Sequence, residues 1–94
     1  MTIDPNKVFR IDSPQALKAK AFELMLTEED YNGFDLFITE IHYRDWTFLL
    51  FKDKCNTLTL RFEKADKHTQ WKVFFSMGGC WRFIFEEILQ IKVI

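Results

Sequence analysis

Glycine, proline and cysteine are scarce in this chain, which has 3 Gly, 2 Pro and 2 Cys among its 94 residues. Two cysteines do not make the disulfide framework that holds small secreted domains together. The pair Gly78-Gly79 lacks the glycine spacing and the Lys-Ser/Thr element of a phosphate-binding loop. Repeats, linkers and low-complexity segments are also absent, so we expect a single domain over residues 1–94.

The sequence also has no long apolar run and no excess of either charge. No run approaches the ~20 residues that cross a bilayer. The start, Met1–Pro5, has neither the basic nor the apolar part of a signal peptide. We therefore expect a cytoplasmic protein without membrane contact. The formal net charge is -1, so no bulk field favours nucleic acid.

Aromatic residues are abundant, with 11 Phe, 3 Trp and 2 Tyr in a chain that is 48% hydrophobic. They supply a large burial term for a chain of this length. The clearest helix follows Ser13, a favourable N-cap residue, and Pro14, which suits the first helical position. Its apolar stripe is formed by Leu17, Ala21, Leu24 and Met25. The helix is expected to end near Leu26.

From Phe34 onward the apolar pattern changes to a period of two. It predicts four strands at about 34–42, 46–52, 57–64 and 70–77. The connections between them are short, so neighbouring strands should pair antiparallel as a meander. A further short edge strand before the first helix is compatible with Val8, Phe9 and Ile11.

The segment after Gly79 has two interpretations. A helix is favoured by the spacing of Trp81, Ile84, Phe85, Ile88 and Leu89. A strand is suggested by the alternation of Trp81, Phe83 and Phe85 after Gly78-Gly79, a recognised hairpin signal. We favour the helix, because its pattern continues past Phe85. The predicted fold class is α+β, a four-stranded antiparallel meander with an N-terminal and a C-terminal helix packed on one face.

The stretch Gly78 to Phe83 resembles the segment around the nucleophile of papain-like cysteine proteases. The resemblance implies a thiol, that of Cys80, at the first turn of a helix, where the macrodipole lowers a thiol pKa. The histidine and asparagine that follow in that family have no counterpart after Cys80. Cys80 is therefore a candidate reactive thiol, and its alternative role is that of a small buried residue.

The meander also separates the residues from which a metal site would be built. It places His42 and His68 at one end of the sheet, and Cys55 and Cys80 at the other, roughly 20 Å away. Zinc ligands must lie within about 2.0–2.3 Å of the metal. We therefore expect no metal and no other cofactor. The two histidines, with Asp45 and Asp66 nearby, are either solvated turn residues or a pH-sensitive or ligand-binding spot.

The second face of the sheet carries more apolar residues than a solvated face needs. The helices are expected to cover Leu36, Ile38, Leu58, Leu60, Phe62, Trp71, Val73 and Phe75. The second face is then formed by Phe37, Ile41, Tyr43, Leu49, Phe51 and Phe74, beside Arg61 and Lys72. Its cover is the N-terminal segment or the loop Thr27–Gly33, a second copy, or another protein. Phe83 is a further candidate anchor.

These features favour a non-enzymatic protein-binding module that acts through this aromatic face. It would work as a homodimer, an adaptor or a stoichiometric inhibitor, by analogy with small phage anti-defence and toxin-immunity proteins. One alternative is a thiol-dependent enzyme that uses Cys80. The other is single-stranded nucleic-acid binding by the sheet aromatics, which the lack of a basic surplus disfavours.

Overall fold

The computed structural model describes residues 5–27, 37–52, 57–65 and 67–91. A 3₁₀ turn at Pro5–Lys7 precedes strand β1 (Val8–Ile11) and helix α1 (Pro14–Thr27). Four strands follow, β2 (Phe37–Tyr43), β3 (Trp46–Lys52), β4 (Leu58–Lys64) and β5 (Gln70–Phe74). Helix α2 (Met77–Phe83) continues directly into a π-helical turn at Ile84–Ile88. The α+β class expected from the sequence is confirmed.

The five strands form one sheet in the order β1-β2-β3-β4-β5. Strands β2 to β5 pair antiparallel with their neighbours, as the short connections predicted. Strand β1 pairs parallel with β2, with Val8 opposite Glu40 and Ile11 opposite Tyr43. The long connection through α1 allows this parallel pairing, because it returns the chain to the starting end of the sheet. The sheet is therefore five-stranded and mixed, and the expectation of four antiparallel strands is incomplete.

Helix α1 begins as its sequence predicted. The Ala16 N–H donates to the Ser13 hydroxyl oxygen at 3.2 Å, and the Leu17 N–H donates to the Ser13 carbonyl at 3.0 Å. The side chain and carbonyl of this N-cap residue thus accept from two N–H groups of the first helical turns. The buried side of the helix is formed by Leu17, Ala21 and Leu24. Phe22 and Leu26 lie on its exposed side.

Both helices pack on the same face of the sheet, here called the covered face. Ile41, Phe48 and Phe62 are opposite one another on β2, β3 and β4. Because directly opposed residues share a face, their burial identifies the side on which the core lies. The helices add Leu17, Ala21, Leu24, Met77, Cys80, Trp81, Ile84 and Phe85 to this core.

The C-terminal segment is helical, which confirms the favoured interpretation and excludes the strand. Helix α2 begins at Met77, earlier than expected, because Ser76 is its N-cap and accepts from the Gly79 N–H at 3.0 Å. Gly78 and Gly79 lie in its first turn, and neither has a positive φ. The glycine pair therefore starts a helix and does not form a hairpin.

The prediction of which β2 side chains face the helices is wrong by one residue position. Ile41 and Tyr43 were predicted on the second face, but they are 0% and 2% exposed on the covered face. Glu40 and His42 lie on the opposite side. Burying Glu40 beneath the helices would remove a carboxylate from water without a matched partner. The free-energy cost of that burial outweighs the local apolar pattern. The side chain of Phe37, predicted for the second face, lies outside the described residues.

The prediction of which β5 side chains face the helices is also wrong by one residue position. Phe74 lies opposite the buried Leu58, which places it on the covered face. Lys72 lies on that face too, and its ammonium nitrogen is 4.6 Å from the centre of the Phe83 ring. A lysine is tolerated there because its stem covers apolar rings while its charge stays near water. Trp71 and Val73 consequently lie on the other face.

Phe83 also differs from its expected role as an exposed anchor. Its ring is 5.6 Å from that of Phe62 and 5.4 Å from that of Phe74, at the edge of the core. These contacts make it half-buried.

None of the helices in the described ranges is both long enough and apolar enough to span a bilayer.

Candidate functional site

Cys80 is placed by the first turn of α2, as the sequence predicted, but its side chain points into the core. It is 0% exposed, and its N–H donates to the Ser76 carbonyl at 3.2 Å. A buried thiol in an apolar setting is chemically inert in most proteins. The position therefore favours the packing role of Cys80 over that of a reactive thiol.

The two histidines lie at the same end of the sheet, as the meander predicted, but their surroundings differ. His42 pairs with Glu40 on its own strand, whereas His68 is exposed in the connection between β4 and β5. Cys55 and Asp66 lie outside the described residues. Among the residues that the structure describes, no group of three or more His, Cys, Asp or Glu is arranged to hold a metal ion.

The face of the sheet turned away from the helices is called the open face. The register assigns to it Val8, Arg10, Glu40, His42, Thr47, Leu49, Phe51, Thr59, Arg61, Glu63, Trp71 and Val73. No helix from the described ranges packs on this face, because the core residues of both helices lie against the covered face. The predicted cover by the loop Thr27–Gly33 concerns residues that are almost all outside the described ranges.

One end of the open face is polar and internally hydrogen-bonded. The His42 Nε2 atom is 2.9 Å from a Glu40 carboxylate oxygen, and the Thr47 hydroxyl is 3.4 Å from His42 Nδ1. The Thr69 hydroxyl donates to Glu63 at 2.8 Å. These pairs lie within β2, between β2 and β3, and between β4 and the connection that follows it, so this end of the face presents paired polar groups.

The other part of the open face is apolar and partly exposed. Phe51 and Trp71 meet edge to face, with ring centroids 6.0 Å apart. The Arg61 guanidinium lies 5.8 Å from the Trp71 ring centre. Leu49 is buried between its neighbours, whereas Trp71 is 59% and Val73 is 54% exposed. Such a patch, with charge at its border, is typical of a binding surface.

This patch continues along the outer strand. Trp71 and Val73 lie on β5, and Phe75, directly beyond the strand, is 95% exposed. Among the described residues, no strand pairs with the outer edge of β5. The edge and the apolar patch therefore form one continuous surface, called the β5 surface, which consists of Phe51, Arg61, Trp71, Val73 and Phe75.

Of the residues predicted for partner binding, Leu49, Phe51 and Arg61 lie on the open face. Ile41, Tyr43, Phe74 and Lys72 lie on the covered face. The prediction missed Trp71, Val73 and Phe75 because their regular alternation is equally typical of a core-facing strand. Nothing in the sequence of these three residues distinguishes an exposed apolar row from a buried one.

In comparisons with protein-family models, curated proteins and solved structures, none matches this chain. The β5 surface is thus the feature on which a function is proposed.

Proposed function

We propose that this chain is a non-enzymatic protein-binding module whose β5 surface receives an extended segment of another protein. One observation carries the proposal. Three large apolar side chains, those of Trp71, Val73 and Phe75, follow one another at alternate positions and are each more than half exposed. Soluble proteins seldom leave such a row in water unless a partner covers it.

The edge of β5 supplies the second part of this interaction. Every other residue of an edge strand directs its N–H and C=O away from the sheet, where an added strand can pair with them. Backbone pairing of this kind gives affinity, and side chains at alternate positions give specificity. The sequence of β5, Gln70–Phe74, contains no proline, and its one charged residue, Lys72, lies on the covered face with its ammonium nitrogen 4.6 Å from the centre of the Phe83 ring, away from the apolar row.

Burial of the three side chains is large enough to drive binding. A fully buried side chain of this kind contributes about 1.5–3 kcal/mol. Scaled by the exposed fractions of Trp71, Val73 and Phe75, covering them contributes roughly 3–6 kcal/mol before the cost of association. This is comparable to the contribution of a hot-spot cluster at a protein interface.

The charges on the open face favour a protein over a nucleic acid. Arg10 and Arg61 are balanced by Glu40 and Glu63. A stacking platform for single-stranded nucleic acid would combine its aromatic rings with a basic groove. We infer a partner segment with apolar side chains at alternate positions and an acidic side chain within reach of Arg61.

Photo-crosslinking tests the proposal directly. A benzophenone amino acid at position 71 should capture a partner protein in a native lysate, whereas the same group at position 22 should not. Phe22 is a matched control because it is 62% exposed on α1 and lies away from the open face. The captured protein is then purified and its affinity is measured by isothermal titration.

Paired substitutions complete this experiment. Trp71→Ser with Val73→Ser should weaken the purified complex by about 30-fold or more, as expected for hot-spot residues. Phe22→Ser with Leu26→Ser should leave the affinity within about twofold. Equal loss in both double variants would contradict the proposal. Capture of a second copy alone, with dimers in sedimentation that the first double variant abolishes, would replace it by a homodimer.

A further inference from the structure

A cavity lies at one end of the covered face, beside the turn that joins β2 to β3. Its volume is about 360 Å³, near the lower end of the ~300–1,000 Å³ that ligand sites occupy. Its walls are formed by Pro14 at the start of α1, by Arg44 and Asp45 in the turn, and by the segment 88–91. Tyr43 and Trp46 add aromatic rings to the lining. The β5 surface contributes no residue to this cavity.

Two positive charges border the cavity. Arg44 and Lys64 both line it and both are exposed. Neither forms an ion pair within the part of the chain that the structure describes. Among the described residues of the lining, Asp45 is the one that is acidic, and Pro14 brings the positive end of the α1 dipole to the same wall. The potential at the cavity is therefore positive in a chain whose net charge is -1.

Aromatic rings hold these two cations in place. The Arg44 guanidinium lies 5.2 Å from the Tyr43 ring centre, and the Lys64 ammonium lies 5.8 Å from the Trp46 ring centre. Tyr43 is directly opposite Trp46, which is directly opposite Lys64. Tyr43, Trp46 and Lys64 thus form one row across three strands, with Arg44 beside it in the turn, and cation–π contacts reduce the freedom of both long side chains.

The backbone around the cavity has unusual conformations at two places. Arg44 has a φ of 54° and Gln90 a φ of 55°, in the left-handed region that is unfavourable for such residues and neutral for glycine. Directly before Gln90, the Leu89 N–H donates to the Ile84 carbonyl at 2.9 Å, which closes a π-helical turn. Arg44 is the first residue of the two-residue turn between β2 and β3, and Gln90 follows the C-cap of the last helical turn, which accounts for both positive φ values. The π-helical turn is the feature here that is frequent at functional sites.

The geometry points to a binding site for a small amphipathic anion at this cavity. Its anionic group, a carboxylate or a phosphate ester, is held by Arg44 and Lys64. Its apolar body lies against Trp46, Ile88 and Leu89. The volume suits a molecule of one or two rings and excludes a dinucleotide. This inference is independent of the proposed function, because the cavity and the β5 surface share no residue.

Titration of the ¹⁵N-labelled protein with three related probes tests the site. The probes are naphthalene-1-acetate, 1-naphthyl phosphate and the neutral naphthalene-1-acetamide. At least one anionic probe should shift the amide resonances of Arg44, Lys64 and Leu89, with a dissociation constant on the order of 1 mM or tighter for a ligand of this size. The amide should bind about tenfold more weakly than that anion, since it lacks the charge. The relative affinities of the two anions distinguish a carboxylate site from a phosphate site.

Arg44→Gly separates binding from folding. Glycine adopts a positive φ without strain, so this variant should melt at the same temperature as the wild type or higher. Its affinity for the anionic probe should fall about tenfold. Lys64→Gln should weaken binding in the same direction. Lys67→Ala is the matched control, because it removes an exposed positive charge from a neighbouring turn that does not line the cavity.

Several results would overturn the inference. One is the absence of shifts at Arg44, Lys64 and Leu89 with either anion at concentrations of about 5 mM, well above the expected dissociation constant. Others are equal binding of the neutral amide, or an Arg44→Gly variant that binds as the wild type does. Shifts confined to Trp71 and Val73 would place the probe on the β5 surface and would also reject the cavity.

Discussion

The buried hydroxyl of Tyr43 provides a test of the core. Its removal should raise the free energy of unfolding, whereas most Tyr→Phe substitutions in a core lower it. Tyr43 is 2% exposed, and its buried hydroxyl oxygen has no hydrogen-bond partner among the residues that the structure describes. A Tyr→Phe change normally removes a hydrogen bond and lowers stability. Here Tyr43→Phe removes only an unpaired polar group, so it should raise the free energy of unfolding.

The magnitude follows from the environment of this ring. A buried polar group without a partner costs about 1–3 kcal/mol. Phenylalanine fills the same space, and the contact with the Arg44 guanidinium at 5.2 Å involves the ring, which the substitution retains. We therefore expect a gain of about 1–2 kcal/mol. For a domain of this length, each kcal/mol raises the melting temperature by about 4–8 °C.

Urea unfolding followed by fluorescence, together with calorimetry, measures the effect. Thr69→Val is the control, because the Thr69 hydroxyl has a partner in Glu63 at 2.8 Å on the exposed surface. That variant should lose at most about 0.5 kcal/mol. If Tyr43→Phe lowers the free energy of unfolding by about 1 kcal/mol, the hydroxyl is hydrogen-bonded, for instance to an enclosed water, and the reasoning is refuted.

Three further predictions concern the start of α2. Gly78→Ala should stabilise the protein by about 0.5–1 kcal/mol, because an added Cβ meets nothing within 4 Å. Gly79→Ala should have a lower urea midpoint than Gly78→Ala, since its Cβ would lie 3.2 Å from the capping hydroxyl of Ser76. In a Cys55→Ser background, Cys80 should react with iodoacetamide on the order of 10³-fold more slowly than in denaturant, because only opening of the core exposes it. Equal rates would show that the thiol is accessible in the folded protein and would contradict its packing role.

The local elements of this fold follow from the sequence. Ser13 and Pro14 start α1, and the apolar stripe that begins at Leu17 turns it toward the core. The alternation of β4, from Leu58 to Lys64, has one polar side and therefore only one possible orientation. Short connections fix antiparallel pairing, because a parallel crossover needs a dozen residues or more. These features depend on neighbours in the chain, which is why they were predictable.

The orientations of β2 and β5 have different causes. In β2 the polar residues Glu40 and His42 already favour the observed face, whereas in β5 the apolar Trp71 and Val73 favour the opposite of the observed one. The choice was made by the register with β3 and β4, which places Ile41 beside Phe48 and Phe74 beside Leu58.

The positions of the two candidate sites also depend on the tertiary structure. A shift of one residue in β5 moved Trp71 and Val73 from the expected core to the open face. The cavity beside Arg44 likewise depends on the approach of the segment 88–91 to the β2–β3 turn, two parts of the chain that are far apart in sequence. The sequence by itself determined the helices and the antiparallel neighbours from β2 to β5, whereas the parallel pairing of β1 with β2 came from the tertiary structure. Which apolar side chains remained exposed was decided by packing, because burial is a sum over contacts that no single segment contains.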